Sequence, residues 1–131
     1  MRILVDASVI IAVIADEPHK TSLIGVTAGC DLAAPQSVHW EIGNAFSAML
    51  KRKRVSVGEA LEALAIYRKI PIGFLDVELD ESLRLAAQLN LYAYDAYIVQ
   101  CALSHRLPLL SLDRRLTTAA EKVGVKVMEI G

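Results

Sequence analysis

Cysteine and histidine are scarce in this chain and stand at the wrong spacings for the chemistries they usually serve. The 131 residues hold two cysteines and three histidines. Cys30 and Cys101 form no CxxC pair, and none of His19, His39 and His105 lies at a zinc-type spacing from either of them. That excludes a local zinc motif and leaves two reduced, small apolar residues. HExxH is missing, as are a glycine-rich phosphate loop and a recognisable nucleophile triad. No apolar run reaches the roughly 18 residues of a membrane span, and the opening Met-Arg-Ile-Leu-Val-Asp lacks a signal-peptide layout. A cytoplasmic protein with no membrane contact is therefore expected. The formal net charge is −1, so there is no global basic field of the kind that holds nucleic acid non-specifically, and any polyanion must be gripped locally.

What is present is apolar sequence in short, regular pieces. Hydrophobic residues make up 54% and charged ones 22%, which excludes disorder, and the length suits one domain with a real core. Short β-branched or aliphatic runs alternate with longer helical patterns, the signature of βαβ units and a mainly parallel sheet. Strands are predicted over 2–5, 31–35, 72–77, 107–110 and 126–128. Helices are predicted over 9–15, 19–28, 38–52, 57–69, 80–88, 94–105 and 116–123. Ser37 is a candidate N-cap for the third helix, Ser56 with Glu59 has capping-box spacing, and Asp80 is placed to cap the fifth helix. Val38, Ile42, Ala45, Phe46 and Met49 form one buried stripe; Leu79, Leu83, Ala86 and Ala87 form another.

Four carboxylates interrupt this apolar background: Asp6, Glu41, Asp95 and Asp113. A carboxylate at the edge of an apolar run costs free energy unless a cation or hydrogen bonds compensate it. Asp6 ends the first strand and is followed by Ser8; Asp113 follows a buried strand and is preceded by Ser111. The carboxyl ends of strands are where open α/β sheets collect ligand-handling residues. Asp95 stands at the amino end of a helix, where the dipole favours its ionised form, and Glu41 lies one step from the buried stripe of its helix with Asn44 three residues on. Taken singly, Asp6 could be a helix cap and Glu41 a solvated surface residue. If the two strands are neighbours, all four converge, and acids so crowded repel unless a divalent ion is present. Oxygen ligands of this kind suit Mg²⁺ or Mn²⁺, one ion or two, and point to attack of activated water on a phosphodiester. Two basic groups, Lys51-Arg52-Lys53-Arg54 and Arg114-Arg115, are either solvated helix ends or phosphate contacts.

Asp6-Ala7-Ser8, Glu41 with Asn44, Tyr94-Asp95-Ala96-Tyr97 and Ser111-Leu112-Asp113-Arg114, in this order and length, resemble the PIN-domain ribonucleases, in particular the VapC-type toxins of toxin–antitoxin pairs. The resemblance covers nearly the whole chain. It implies a single PIN domain over 1–131, a three-layer α/β/α fold with a central mainly parallel sheet, and a Mg²⁺- or Mn²⁺-dependent endoribonuclease. It implies Asp6 and Asp95 as main metal ligands, Asp113 as a further acid, and Glu41 as holder of a metal water or second ion. Ser8, Asn44 and Ser111 would support them, with serine at 111 where the family commonly has threonine. It also implies a homodimer and a VapB-like antitoxin that inserts a basic side chain among the acids. A mean hydropathy of +0.41 independently suggests apolar surface covered by another subunit.

Three other readings are possible. PIN domains also act in RNA processing or decay without a toxin role. A haloacid-dehalogenase-type phosphatase needs a second Asp where Ser8 stands. A receiver-like, non-catalytic Mg²⁺-binding signalling module needs paired acids after the first strand, where only Asp6 is found.

Overall fold

The computed structural model describes residues 1–130. Four strands, β1 (Arg2–Val5), β2 (Asp31–Pro35), β3 (Ile72–Leu75) and β4 (Leu109–Leu110), form one sheet in the order β3-β2-β1-β4. Every pairing is parallel, from Arg2 opposite Asp31 to Val5 opposite Leu110. Parallel strands need crossovers, and six helices supply them in pairs: α1 (Ala7–Ile14) and α2 (Lys20–Thr27), α3 (Ser37–Lys51) and α4 (Val57–Tyr67), α5 (Leu79–Leu89) and α6 (Ala93–His105); α7 (Arg114–Lys122) follows β4.

The chain leaves β1 outward through β2 to β3, then crosses back over both to lay β4 on the other side of β1. Right-handed crossovers in opposite directions put their helices on opposite faces. Consistent with this, α1 packs with α2, α3 and α4, while α5 packs with α6, giving the three layers. The reversal falls between β1 and β4, and a crevice outside the carboxyl ends of strands at such a reversal is where open α/β sheets bind ligands.

The core explains the composition. Ile3, Leu4, Val5, Ala33, Ala34, Leu109 and Leu110 are fully buried, as strands covered on both faces must be. Helix α1 is apolar nearly all round and buries Val9, Ile10, Ile11, Ala12 and Ile14, each Ile or Val contributing about 1.5–3 kcal/mol. α3 buries Val38, Ile42 and Phe46, with Ala45 and Met49 packed at its margin. Cys101 is free and buried, and burial pushes its thiol up to about 12. Cys30 is free and half-buried. No helix among the described residues is long and apolar enough to cross a membrane.

Several expectations shift in detail. Ser37 does not cap α3: the helix begins at Ser37 itself, so its side chain leaves capping geometry. Asp80 does not cap α5, which starts one residue earlier with Glu78 as N-cap. Leu79 and Leu83 face outward, 56% and 54% exposed, while Ser82 and Leu85 are buried instead. Ser82 tolerates burial because its hydroxyl donates to the Glu78 carbonyl at 2.7 Å. β3 ends two residues early, and the Asp76 carbonyl accepts from His105 Nε2 at 3.1 Å. The strand expected at 126–128 is a single parallel bridge, Val127 to Leu109, because the two-residue β4 leaves little edge to pair with. Glu59 and Ser56 do form the capping box of α4.

Candidate active site at the carboxyl edge of the sheet

Parallel pairing of β1 with β4 brings the chain after Val5 beside the chain after Leu110. The acid at the first turn and the hydroxyl at the second then meet. Asp6 is 5% exposed and accepts from Ser8 Oγ at 2.6 Å on one carboxylate oxygen and from Ser111 Oγ at 2.7 Å on the other. The Val9 N–H adds a bond of 3.3 Å, so Asp6 also caps α1, as the capping reading expected. Each serine oxygen in turn accepts a backbone N–H, Leu112 to Ser8 and Asp113 to Ser111, both at 3.0 Å. The network clamps the β4–α7 turn onto the β1–α1 turn. Asp113 accepts from the N–H groups of Arg115 and Leu116, which caps α7 and fixes its carboxylate at the same edge.

Glu41, from the first turns of α3, and Asp95, from the first turn of α6, are half-buried, and no hydrogen bond reaches either side chain among the described residues. Their electrostatics place them with the others. Burial pushes Glu41 up to about 7, and the charges of Asp6, Asp95 and Asp113 add to the rise. Burial raises Asp95 as well, helped by Asp113 and opposed by Arg115. The amino end of α6 was expected to favour ionised Asp95; desolvation outweighs it. In Asp6 burial also wins over the lowering by Ser8, Ser111 and Val9.

Of the remaining expected residues, Asn44 is exposed three residues beyond Glu41 on α3. Arg114 and Arg115 begin α7 beside Asp113. Lys51 to Arg54 lie at the far end of α3, about 15 Å from Glu41 at 1.5 Å per residue. The two basic groups thus separate, and Arg115 acts on Asp95. Ser37, read as a cap, is one turn before Glu41, and its hydroxyl is buried without a partner among the described residues.

A family model described as PIN domain matches residues 3–122. The chain belongs to the PIN domain family. Such membership indicates a hydrolytic nuclease. Among solved structures, PAE2754 from Pyrobaculum aerophilum is similar over 94% of this chain and 86% of its own, with 26% identity and a TM-score of 0.70. VapC20 of Mycobacterium tuberculosis, a sarcin-ricin loop cleaving toxin, is similar over 89% and 94%, with 16% identity and a TM-score of 0.65. VapBC2 from Rickettsia felis, bound to a DNA fragment from their promoter, is similar over 98% of both chains, with 14% identity and a TM-score of 0.68. The last two likenesses are of fold. No curated protein matches the chain.

The donor set fits a hard divalent cation in chemistry: carboxylate oxygens that repel one another and no thiol or imidazole among them. As the side chains stand, no three Asp, Glu, His or Cys groups among the described residues close on one point. Asp6 and Asp113 are held by hydrogen bonds, whereas none reaches the side chain of Glu41 or Asp95 among the described residues.

Proposed function

We propose that this PIN domain is a Mg²⁺- or Mn²⁺-dependent endoribonuclease acting as the toxin of a toxin–antitoxin pair. The observation that carries the nuclease reading is that burial raises Asp6, Glu41 and Asp95 together at the strand reversal, the charge of Asp113 adding to each rise and Arg115 opposing that of Asp95. In this reading Asp6, Asp95 and Asp113 hold the cation and Glu41 orients a water or a second ion. When bound, the cation supplies an activated water and offsets charge on the phosphoryl oxygens. Ser8 and Ser111 keep Asp6 in one orientation and satisfy it, and Asn44 lies beside Glu41 as a polar neighbour. Arg114 and Arg115 border the acids from α7 and would contact RNA phosphates on either side of the cut.

The toxin role draws on the fold likeness to VapC20 and VapBC2 and on apolar surface left open. Val57, Leu61 and Ile66 of α4 and Leu79 and Leu83 of α5 are exposed, which suits a homodimer and a VapB-like antitoxin. An antitoxin guanidinium placed among the acids would replace the metal as neutralising cation, so inhibition and metal loss would be one event.

The test is cleavage of RNA by purified protein with Mg²⁺ or Mn²⁺ and with EDTA, beside Asp95→Asn. Cleavage that survives EDTA or the substitution overturns the metal-dependent reading. Growth arrest on expression, relieved by the neighbouring gene and absent with Asp95→Asn, would establish the toxin role. An active enzyme that is harmless on expression would instead assign the protein to RNA processing.

A further inference from the structure

The edge that carries the acids continues past β1 to the ends of β2 and β3, and a cavity of about 220 Å³ opens there. Gln36 and Ser37 line it from the turn after β2, Asp76 from the turn after β3, and Tyr97 from α6, two residues beyond Asp95. Leu75 and Leu79 supply apolar wall, and Leu79 is a large side chain left 56% exposed. Ser37 precedes Glu41 by four residues on α3, so the two share a helix face. The cavity therefore flanks the same stretch of edge as the acids, one helical turn away. The Ser37 hydroxyl is the buried side-chain polar atom that lacks a hydrogen bond among the described residues, an arrangement that lowers stability unless a bound group supplies the partner.

The lining selects the occupant. No lysine or arginine lines the cavity while Asp76 does, which excludes a phosphate. The volume is below the roughly 300–1,000 Å³ of pockets for drug-sized ligands and suits one planar ring. An aromatic ring to stack on, an amide, a hydroxyl and a carboxylate are the groups that read the edge of an unstacked base, and a carboxylate accepts from an exocyclic amine. We propose that this cavity is a base-recognition subsite that takes one unpaired nucleobase bearing an exocyclic amine (adenine, cytosine or guanine, but not uracil) from the RNA strand beside the scissile phosphate. The proposal rests on the ribonuclease reading. Tyr97 stacks, Asp76 and Gln36 bond the base edge, and Ser37 gains its missing partner.

The experiment compares kcat/KM with Mn²⁺ on sets of four oligoribonucleotides that differ only in one base flanking the cut. The parent enzyme is expected to prefer an amine-bearing base over uracil at one flanking position by about tenfold, the discrimination of one good base contact. Asp76→Ala and Gln36→Ala should bring the four substrates of that set within about twofold of one another. Ser37→Ala should weaken the same preference with a thermal midpoint no lower than the parent's, because it deletes an unpartnered hydroxyl. A parent preference that survives all three variants, or an equal loss on all four bases, overturns the subsite and leaves the nuclease reading standing. Loss of antitoxin capture with the preference intact also overturns it, assigning the cavity to a peptide. A parent enzyme that cuts no RNA with either metal overturns both.

Discussion

Asp6 and Glu41 share one negative neighbourhood and are supported in opposite ways. Asp6 is nearly inaccessible, yet a serine hydroxyl meets each of its oxygens. Glu41 is half-buried with no donor among the described residues, and burial and its acidic neighbours push it up to about 7. The fold has therefore offset part of the burial of one carboxylate from within and left the other to be compensated wholly by something that binds. A site in which every acid was satisfied internally would have little affinity for a cation; one in which none was would weaken the fold or take up protons.

Substitutions at Asp6 test this division most severely. Asp6→Ala removes a proposed ligand and leaves Ser8, Ser111 and the Val9 N–H without their acceptor. Cleavage should fall by about 10²-fold or more, and stability by about 1–3 kcal/mol. Asp95→Asn should match the first loss and show little of the second, since no hydrogen bond depends on it. Equal stability losses in the two variants, measured by urea denaturation, would erase the distinction between held and open acids.

The next effect is a pH dependence at Glu41. An acid raised in the fold binds its proton more tightly folded than unfolded, so the folded state is favoured at low pH. That advantage is withdrawn as pH rises from the ordinary 4.5 to about 7. After discounting for partial exposure, the loss is on the order of 2 kcal/mol. Glu41→Gln should therefore be more stable than the parent near pH 8 and indistinguishable from it in acid. Mn²⁺ should narrow the gap near pH 8 by binding the parent more tightly. Parallel stability curves from acid to alkali would remove Glu41 from the uncompensated class.

A smaller change is expected when the clamp is thinned. Ser111→Ala leaves one Asp6 oxygen without its hydroxyl and the Asp113 N–H without an acceptor. Loss of such support for a ligand typically costs about 10–100-fold in metal affinity, and the lower end is expected because Ser8 remains. Ser111→Thr, which restores the hydroxyl, should recover most of it. A Ser111→Ala protein that binds Mn²⁺ like the parent would make the hydroxyl a matter of turn geometry alone.

The held half of this site was more legible in the sequence than the open half, for a physical reason. Strands covered on both faces must be continuous apolar runs, so β1 and β2 fall at their predicted bounds, and Asp6 with its hydroxyl neighbours marks the end of one. Local hydrogen bonding also shows in spacing, as the Ser56 and Glu59 box does. Helix faces are decided by tertiary partners, and there the pattern misleads. Leu79 and Leu83 look like core and face outward, while Ser82 goes inside by bonding its own helix. The cavity beside Ser37 was not legible at all, because Gln36, Asp76 and Tyr97 come from three separate segments that only the sheet order brings together.

The least effect, and the finest test of the same contrast, concerns the two basic groups. Arg115 is near enough to lower Asp95 against its burial, whereas Lys51 to Arg54 sit at the opposite end of α3 and are exposed. A phosphate contact contributes about one unit to the slope of log affinity against log salt, somewhat less for single strands. Arg115→Gln should reduce that slope by about 0.7 and weaken binding of a single-stranded oligoribonucleotide a few-fold. It should also deepen the upward shift of Asp95, since it removes the one charge opposing it. Neutralising Lys51, Arg52, Lys53 and Arg54 together should leave slope and affinity nearly unchanged, as expected of cations that complement the carboxyl end of a helix dipole. The reverse outcome would mean that RNA runs along α3 rather than along the sheet edge, and the acids would then be approached from the side of Glu41 rather than across Asp113.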